Sequence, residues 1–354
     1  MSSSYRVLHV DAAASYRGGQ RQLALLASEQ VAAGMDVRCL VRCRQLHREL
    51  VSIGAAAEEW KGPLSPIGWS QLWSATRAGR NLLHAHDSRS HTALGVLGPR
   101  SLRHRLVVHR RIDDPPRGRL ITRWKYQRGH IISVSKAVDQ VMRRYGITPA
   151  RRTIQYSATK IPAELPAPSA RTNDDPSLRL LTVGALVPHK GHATLLDALS
   201  KMAQPARLFL LGEGPLEPVL RAKVLALGLT EQVRIEPYTD QRAHMLFQEC
   251  DLYVHPSLTE GLGSAVLDAM AHGRPVVAST AGGLPELVDS ATGWLVPPGD
   301  SRRLAQVLDA LTTESTQSDS PWKQQRQAAY DRVESRHSPH GMLAGVRSVY
   351  DGLL

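Results

Sequence analysis

Residues 251–288 read DLYVHPSLTEGLGSAVLDAMAHGRPVVASTAGGLPELV, and this stretch indicates both the fold and a site. Its pattern predicts a buried strand at 252–254, a loop that carries Glu260, and a helix that begins at Ser264. Ser264 suits the N-cap of this helix, and Gly273 suits the position just after its end. A second strand at 275–279 and a Gly-Gly loop that leads into another helix follow.

The turn before Ser264 is typical of an anion site. A strand-to-helix turn directs backbone N–H groups and the positive end of the helix dipole at one point, which suits a phosphate. Asp268 comes four residues later and projects from the same helix face, about one turn (~5.4 Å) deeper. Glu260 would lie on the other side of the anion. Two carboxylates around a phosphate fit a sugar nucleotide, with one acid for sugar hydroxyls and one for ribose hydroxyls.

At these residues the chain resembles the large family 4 of retaining glycosyltransferases with the GT-B fold. The family pattern is Glu, seven residues, then Glu, and here Glu260 is followed after seven residues by Asp268. The HPS at 255–257, the AMAHGRPVVA at 269–278 and the GGLPE at 282–286 also match. The resemblance implies an α/β protein with two Rossmann-like parallel-sheet domains facing a central cleft.

Strands and helices alternate on both sides of an aperiodic segment at 161–178, which is rich in Pro, Ser and Asp. We interpret this segment as an interdomain linker. It separates an N-terminal acceptor-side domain at 1–165 from a C-terminal nucleotide-sugar domain at 178–336. Repeated strand–helix units predict parallel sheets covered on both faces. The resemblance further implies that a terminal helix at about 340–354 packs back on the first domain.

The resemblance also assigns residues to the donor. Glu260 would contact sugar hydroxyls, Lys190 and the amides of 261–265 the diphosphate, and Asp268 the ribose. Lys190 lies in VGALVPHKGH (183–192), where Ala185 stands at a position that the family usually gives to Arg. The predicted loop at Gly18 and Gly19, before a helix expected from Gln20, and the turn at Gly212 and Glu213 could also be structural connections. The expected donor-binding residues are Gly18, Gly19, Lys190, Gly212, Glu213, Glu260, Gly261, Leu262, Gly263, Ser264, Ala265 and Asp268.

Polar residues follow two predicted strands of the first domain. His86 and Asp87 follow one strand, while His109, Arg110 and Arg111 end another. Open parallel sheets bind ligands at the carboxyl ends of strands, so we expect these residues on the acceptor side. The resemblance places a histidine near the transferred sugar. His109 matches it, Arg110 would replace it after a one-residue shift, and a structural role stays open for each.

The charge is uneven along the 354 residues. Residues 1–160 carry a formal charge of +17 and the remainder −5, within a total of +12. The densest basic tract runs from Arg100 to Arg128. A basic first half indicates an anionic partner there: an anionic lipid surface, a phosphorylated glycolipid or nucleic acid. A solvated arginine-rich face is the alternative. No helix-turn-helix, RNP or zinc-finger signature supports nucleic acid.

Cysteine count and hydropathy predict the compartment. Three cysteines make no disulfide framework, and Cys39 and Cys43 with His47 lack a fourth metal ligand, so we interpret the cysteines as core and loop residues. No apolar run approaches the ~20 residues of a membrane span. We expect a cytoplasmic protein that contacts the inner face of the membrane peripherally.

Together these features predict a hexosyltransferase, and the resemblance implies that it retains the anomeric configuration. It would move a sugar from a nucleoside-diphosphate sugar, here a UDP-sugar, to an envelope glycolipid or polysaccharide such as lipopolysaccharide core. Glu260, His109 and Lys190 are the expected catalytic residues. The resemblance implies that no cofactor or obligatory metal is needed, and the absence of an Asp-x-Asp motif agrees. The alternatives are a sugar-nucleotide epimerase of the same fold, and a nucleic-acid-binding protein, which would leave Glu260 and Asp268 unexplained.

Overall fold

The computed structural model describes residues 5–77, 81–97, 105–113, 120–148, 151–166, 177–314 and 322–354. The chain divides into two compact units, one of Met1–Ala158 with His337–Leu354 and one of Thr159–Arg336. The predicted boundary at 165 falls inside the second unit. Thr159 donates a hydrogen bond to Asp268 there, and Leu165 packs over Gly273. Of the predicted linker, residues 167–176 lie outside the described part of the chain.

The first unit contains a sheet and surrounding helices. Its strands are β1 (Arg6–Asp11), β2 (Asp36–Val41), β3 (Ala56–Glu59), β4 (Asn81–Ala85), β5 (Leu106–Arg110), β6 (His130–Ser133) and β7 (Arg152–Ile154). Its helices are α1 (Gly18–Ala32), α2 (Arg44–Ser52), α3 (Pro66–Arg77), α4 (Ser88–Thr92), α5 (Leu120–Tyr126), α6 (Lys136–Arg144) and, at the end of the chain, α13 (Pro339–Asp351). A π-helical turn at Ala93–Leu97 continues α4.

All seven strands are parallel, in the order β3-β2-β1-β4-β5-β6-β7. Successive side chains of a strand point to opposite faces, and here both faces are covered. Val7 belongs to a buried cluster with residues of α1, α2 and α13, whereas the next residue, Leu8, belongs to a cluster with residues of α3 and α6. The near-continuous apolar runs of β1, β4 and β5 reflect burial on both sides.

The second unit repeats the pattern with six strands. They are β8 (Leu178–Val183), β9 (Ala206–Leu211), β10 (Val233–Glu236), β11 (Leu252–His255), β12 (Val276–Ser279) and β13 (Gly293–Val296), in the order β10-β9-β8-β11-β12-β13. Its helices are α7 (His192–Leu199), α8 (Glu217–Ala226), α9 (Asp240–Glu249), α10 (Ser264–Ala271), α11 (Ser301–Glu314) and α12 (Trp322–Arg336).

The prediction of a helix after the Gly-Gly loop is wrong. A single 3-10 turn, Leu284–Glu286, stands there, because the chain turns again between Asp289 and Thr292 to enter β13. The prediction of an α/β fold with two Rossmann-like parallel sheets is confirmed. In the part of the chain that the structure describes, no helix combines the length and apolar character needed to cross a membrane.

Each sheet reverses its strand order at one point, between β1 and β4 in the first unit and between β8 and β11 in the second. Loops that leave the carboxyl ends of such a strand pair diverge and leave a crevice where ligands of open α/β sheets bind. The predicted residues follow these strands: His86 and Asp87 come after β4, Lys190 after β8, and Glu260 after β11. The topology therefore positions one candidate site in each unit.

Candidate functional site

The second unit has a charged centre at its strand-order reversal. The Glu260 Oε2 atom accepts hydrogen bonds from Lys190 Nζ at 2.5 Å and from Ser257 Oγ at 3.2 Å, and it lies 2.9 Å from His255 Nε2. The side chains of Lys190 and Glu260 are 19% and 14% exposed, and that of His255 is 3% exposed. Two residues that are 70 positions apart thus form a shielded ion pair. Lys190, which was expected to contact the diphosphate, is therefore paired with Glu260 in this structure.

Electrostatics keep Glu260 ionised. Burial alone would raise the pKa of its carboxyl group, but the charge of Lys190 and the hydrogen bond from His255 outweigh burial, so the pKa lies well below its ordinary value. Burial lowers the pKa of His255, although the neighbouring Glu260 opposes that shift. Tyr253 lies at 3.1 Å from the other ring nitrogen of His255. The centre consequently holds an anionic carboxylate, an ammonium and a histidine in fixed positions.

A glycine allows the two loops of this centre to meet. Lys190 ends the 3-10 turn Pro188–Lys190, and Gly191 follows with φ of 67°. A Cβ atom at Gly191 would lie 2.0 Å from the carbonyl oxygen of Pro256, so only glycine fits. The Leu258 N–H then donates to the His189 carbonyl oxygen at 2.7 Å. These contacts fix the Lys190 turn against the loop that carries Glu260.

Helix α10 begins beside this loop, but its N-cap is Gly263 and not Ser264. Gly263 has φ of 104°, and a Cβ atom there would meet Leu284 at 2.8 Å, so the turn requires glycine. Ser264 is the first helical residue. Because an α-helix leaves its first N–H groups without intrahelical acceptors, Ser264 and Ala265 can present theirs to an anion. Both are partly exposed, whereas 261–263 are buried. Gly273 follows the helix with φ of 62°, as predicted.

Asp268 lies one turn further along α10 and is 8% exposed. Its Oδ1 atom accepts a hydrogen bond of 2.5 Å from Thr159 Oγ1. Its backbone carbonyl oxygen lies 2.8 Å from His272 Nδ1. Thr159 is the first residue of the second unit, so this contact also fastens the start of the unit to α10.

The turn at Gly212 and Glu213 has a clear structural role. A Cβ atom at Gly212 would lie 1.9 Å from the Gly184 carbonyl oxygen, so the ends of β8 and β9 could not approach as they do. The Leu186 N–H donates to the Glu213 carbonyl oxygen at 2.9 Å, and the Glu213 side chain is exposed. Its role in donor binding stays a prediction.

In the first unit, the side chains that follow β4 are buried or hydrogen-bonded to other residues of the protein. Asp87 is the N-cap of α4: its Oδ1 accepts from the N–H groups of Arg89 and Ser90, and its Oδ2 from the N–H of Ala12 at 2.6 Å. His86 is 5% exposed. Burial and the nearby Asp87 raise the pKa of Asp11, at the end of β1, to about 6. The carboxylate of Asp87 therefore has a structural explanation in addition to its predicted one.

The two arginines at the end of β5 differ in the residues that they contact. Arg110 Nη1 donates to Tyr126 at 3.0 Å, and Arg111 Nη2 lies 3.5 Å from His86 Nδ1. Burial lowers the pKa of Arg111 to about 10, although Asp11 opposes that shift, so its guanidinium stays charged at neutral pH. Of the predicted basic tract, Arg100, Arg103, Arg117, Arg119 and the Arg123 side chain lie outside the described part of the chain.

Gly18 and Gly19 were predicted in a loop, but they are the first two residues of α1. The helix begins earlier than predicted because the Gln20 side chain accepts a hydrogen bond from the Arg17 N–H at 3.2 Å and caps this end. A Cβ atom at Gly19 would lie 3.5 Å from Arg111 Cδ. This is an ordinary van der Waals distance, so the packing of Arg111 does not require glycine at this position.

Some residues of these sites were not predicted. His255 and Ser257, which contact Glu260, stand in the HPS motif, so the signal was present in the sequence. His9 was not predicted, and His84 was named only as part of the strand end at 84–87, although both are fully buried beside His86 and His109. Ring nitrogens of His9, His84 and His86 lie within 4.8 Å of one another, close enough to share a metal ion. These rings also hydrogen-bond to one another or to neighbouring residues.

Comparison with known proteins agrees with this geometry. The family described as Glycosyl transferases group 1 matches residues 177–314. The amylovoran biosynthesis glycosyltransferase AmsK of Erwinia amylovora is 34% identical over 146 residues, which cover 38% of this chain and 36% of AmsK. The chain thus spans little more than a third of that relative's length.

Solved structures extend the similarity to the whole fold. HepE from Anabaena, crystallised with UDP and glucose, has a TM-score of 0.81 at 18% identity, over 98% of this chain and 99% of HepE. The lipopolysaccharide outer core galactosyltransferase WaaB in its apo form has a TM-score of 0.73 at 14% identity, over 99% of this chain and 100% of WaaB. The fold that the resemblance implies is confirmed: the chain has the GT-B fold, and its residues 177–314 are similar to the family described as Glycosyl transferases group 1.

Proposed function

We propose that the chain is a glycosyltransferase that moves a hexosyl group from a nucleoside-diphosphate sugar to a hydroxyl of an envelope glycolipid or polysaccharide. The observation that carries this proposal is the shielded centre of Lys190, His255 and Glu260 inside the glycosyl transferases group 1 domain. That centre lies where the strand order of the sheet reverses, the usual ligand position of such sheets.

We further propose that a UDP-sugar binds on the second unit. The start of α10 at Ser264 would hold the diphosphate, Asp268 the ribose, and Glu260 the sugar hydroxyls. Since Lys190 compensates the charge of Glu260, a pyrophosphate would not meet an uncompensated carboxylate there. The complexes of HepE with UDP, with UDP and glucose, and with UDP-glucose support this choice of donor.

The proposed mechanism relies on the protein's own charges. Negative charge develops on the β-phosphate as the glycosidic bond breaks, and preorganised N–H groups and cations stabilise such charge best. Ser264 and Ala265 would supply the N–H groups, and Lys190 the cation. We propose that transfer retains the anomeric configuration and needs no metal ion or cofactor.

For the acceptor we propose an anionic envelope glycan such as lipopolysaccharide core. The charge of +17 on residues 1–160 supports an anionic partner. The names of AmsK and WaaB, which refer to amylovoran biosynthesis and the lipopolysaccharide outer core, support the same class. His109 and Arg111 would act on the acceptor side. The same charge supports peripheral contact of this cytoplasmic protein with an anionic membrane.

The decisive variant is Glu260→Gln, which keeps the size of the side chain but removes its charge. We expect the transfer rate to fall by about 10²-fold or more, since a charged contact to the reacting sugar is lost. The transfer of radiolabelled sugar from UDP-sugars to purified lipopolysaccharide measures this rate. Glu217→Gln is the matched control, because Glu217 forms an exposed pair with Arg221 on α8 and should leave the rate unchanged. Near-normal transfer by Glu260→Gln would contradict the assigned role.

The same assay separates the alternatives. Conversion of the donor without an acceptor would indicate an epimerase instead of a transferase. Transfer that persists after treatment with a chelator agrees with a metal-independent mechanism, and loss of transfer contradicts it. The anomeric configuration of the product, read from its proton NMR coupling, tests retention.

A further inference from the structure

Buried polar side chains connect the end of α13 to His109 across the sheet of the first unit. His9 on β1 pairs in register with His84 on β4, and His109 lies on the adjacent strand β5. Six contacts join seven residues, one after another, into a hydrogen-bonded series. They are Arg111–His86 (3.5 Å), His86–His9 (2.8 Å), His9–Gln30 (2.7 Å), Gln30–Tyr350 (3.3 Å), Tyr350–His84 (2.6 Å) and His84–His109 (3.0 Å).

The contacts leave the imidazoles of His9, His84, His86 and His109 an acceptor role at one nitrogen each, which only a neutral ring can fill, and burial favours that neutral form. Burial lowers the pKa of His9 to about 4. Burial also places the pKa values of His84, His86 and His109 well below their ordinary value, and the charge of Arg111 lowers them further. A neutral imidazole carries one proton, so each ring donates through one nitrogen and accepts through the other.

Arg111 sets the direction of donation along the hydrogen-bonded series, because a guanidinium can only donate. The His86 Nδ1 atom facing it must accept, so the proton of His86 is on Nε2 and is donated to His9 Nδ1. The proton of His9 is then on Nε2 and is donated to the Gln30 side-chain oxygen. This fixes the orientation of the Gln30 amide.

The remaining links follow from that orientation. The Gln30 amide nitrogen donates to the Tyr350 hydroxyl, which therefore donates its own single proton to His84 Nδ1. The proton of His84 is on Nε2 and is donated to His109 Nδ1. A neutral His109 that accepts at Nδ1 carries its proton on Nε2. Every link thus has one donor and one acceptor.

We infer that Tyr350 and His84 are positioning residues that hold His109 as its Nε2-protonated tautomer. In this form His109 donates a hydrogen bond to a substrate oxygen and does not act as a general base. This inference rests on the proposed function only for the role of His109 in transfer. The tautomer itself is a property of the free protein.

The test is the tautomeric state of His109 in long-range proton–nitrogen NMR spectra of histidine-labelled protein at neutral pH. The protein is treated with a chelator beforehand, so that no bound metal ion sets the tautomer. His84→Gln and His109→Gln assign the signals. We expect a single neutral His109 with its proton on Nε2. A proton on Nδ1, or a doubly protonated ring, in the wild-type protein would overturn the inference without any further variant.

Tyr350→Phe tests the link itself by removing the hydroxyl that donates to His84. We expect a mixture of the two His109 tautomers in this variant, since His84 loses the donor that fixes its own proton. Tyr5→Phe is the matched control, because Tyr5 packs edge-on against Tyr350 but its hydroxyl donates to Asp351, which is not part of the hydrogen-bonded series. A folded Tyr350→Phe protein with an unchanged tautomer would reject the role of Tyr350.

Kinetics separate this inference from the proposed function. In Tyr350→Phe we expect kcat for transfer to fall roughly tenfold, with KM for the donor unchanged. A mixed tautomer with an unchanged kcat would refute the positioning role in transfer. Absence of transfer by the wild-type protein, with the expected tautomer present, would count against the proposed function alone.

Discussion

At the scale of single residues, the contact between Lys190 and Glu260 is one of the shielded ion pairs of the chain, as is Arg179–Asp251. Pairs such as Glu217–Arg221 are largely exposed and are worth little, because water and salt screen them. Lys190 and Glu260 are shielded and share His255 and Ser257 as neighbours. The sequence identified both residues through their motifs. It could not predict that they pair, because periodicity carries no information on a contact across 70 positions.

We predict that Lys190→Ala lowers the free energy of unfolding by about 2 kcal/mol, since it leaves the Glu260 carboxylate without its cation. Urea unfolding followed by tryptophan fluorescence measures this change. Arg221→Ala removes the cation of the exposed Glu217 pair and should cost less than about 1 kcal/mol. Equal losses in the two variants would show that shielding does not strengthen the Lys190 pair.

At the scale of elements, the Lys190 turn depends on Gly191. Gly191→Ala should reduce stability and transfer together, because a Cβ atom would meet the Pro256 carbonyl oxygen and displace the turn from Leu258. Gly228→Ala is the control, since Gly228 has φ of 69° but nothing within 4 Å of its Cβ position. It should show only the backbone cost, about 1 kcal/mol.

Urea unfolding and the transfer assay together decide this prediction. A Gly191→Ala protein that matches Gly228→Ala in both stability and rate would mean that the close approach to Pro256 does not hold Lys190 in place. A larger loss confined to Gly191→Ala supports the turn as the element that positions the cation.

Burial explains which elements the sequence predicted. The central strands β1, β4, β8 and β11 are buried on both faces and appear as apolar runs in the sequence. The sequence pattern did not predict β3 (AAEE), β7 (RTI) and β13 (GWLV), and each of these strands lies at an edge of its sheet. These three strands bury fewer side chains than the central strands do, so their sequences lack that pattern.

At the scale of the whole molecule, the buried histidines predict how stability depends on pH. Burial lowers the pKa values of His9 and His192 to about 4, so these rings bind protons only after unfolding, below about pH 6.5. The unfolded state then holds more protons than the folded state, so the free energy of unfolding decreases as the pH is lowered. His9 alone should contribute roughly 2 kcal/mol between about pH 7 and pH 5. Asp11, whose pKa is raised to about 6, acts in the opposite direction.

Urea unfolding at a series of pH values checks this expectation. His9→Asn should flatten the pH dependence, because it removes one ring that titrates on unfolding. His340→Asn is the control, since His340 is exposed on α13. Stability that rises as the solution becomes more acidic would contradict the prediction, because it would require Asp11 to outweigh the histidines.

The position of Tyr350 in the chain also affects synthesis. This residue comes from the last helix, yet it lies among residues of β1 and α1 in the first core. A growing polypeptide that has released only its first 158 residues from the ribosome still lacks the hydroxyl group on which His84 depends. The amino-terminal half therefore cannot reach its finished state co-translationally. It requires α13, which is synthesised later, so termination of synthesis before codon 350 would leave that half incomplete.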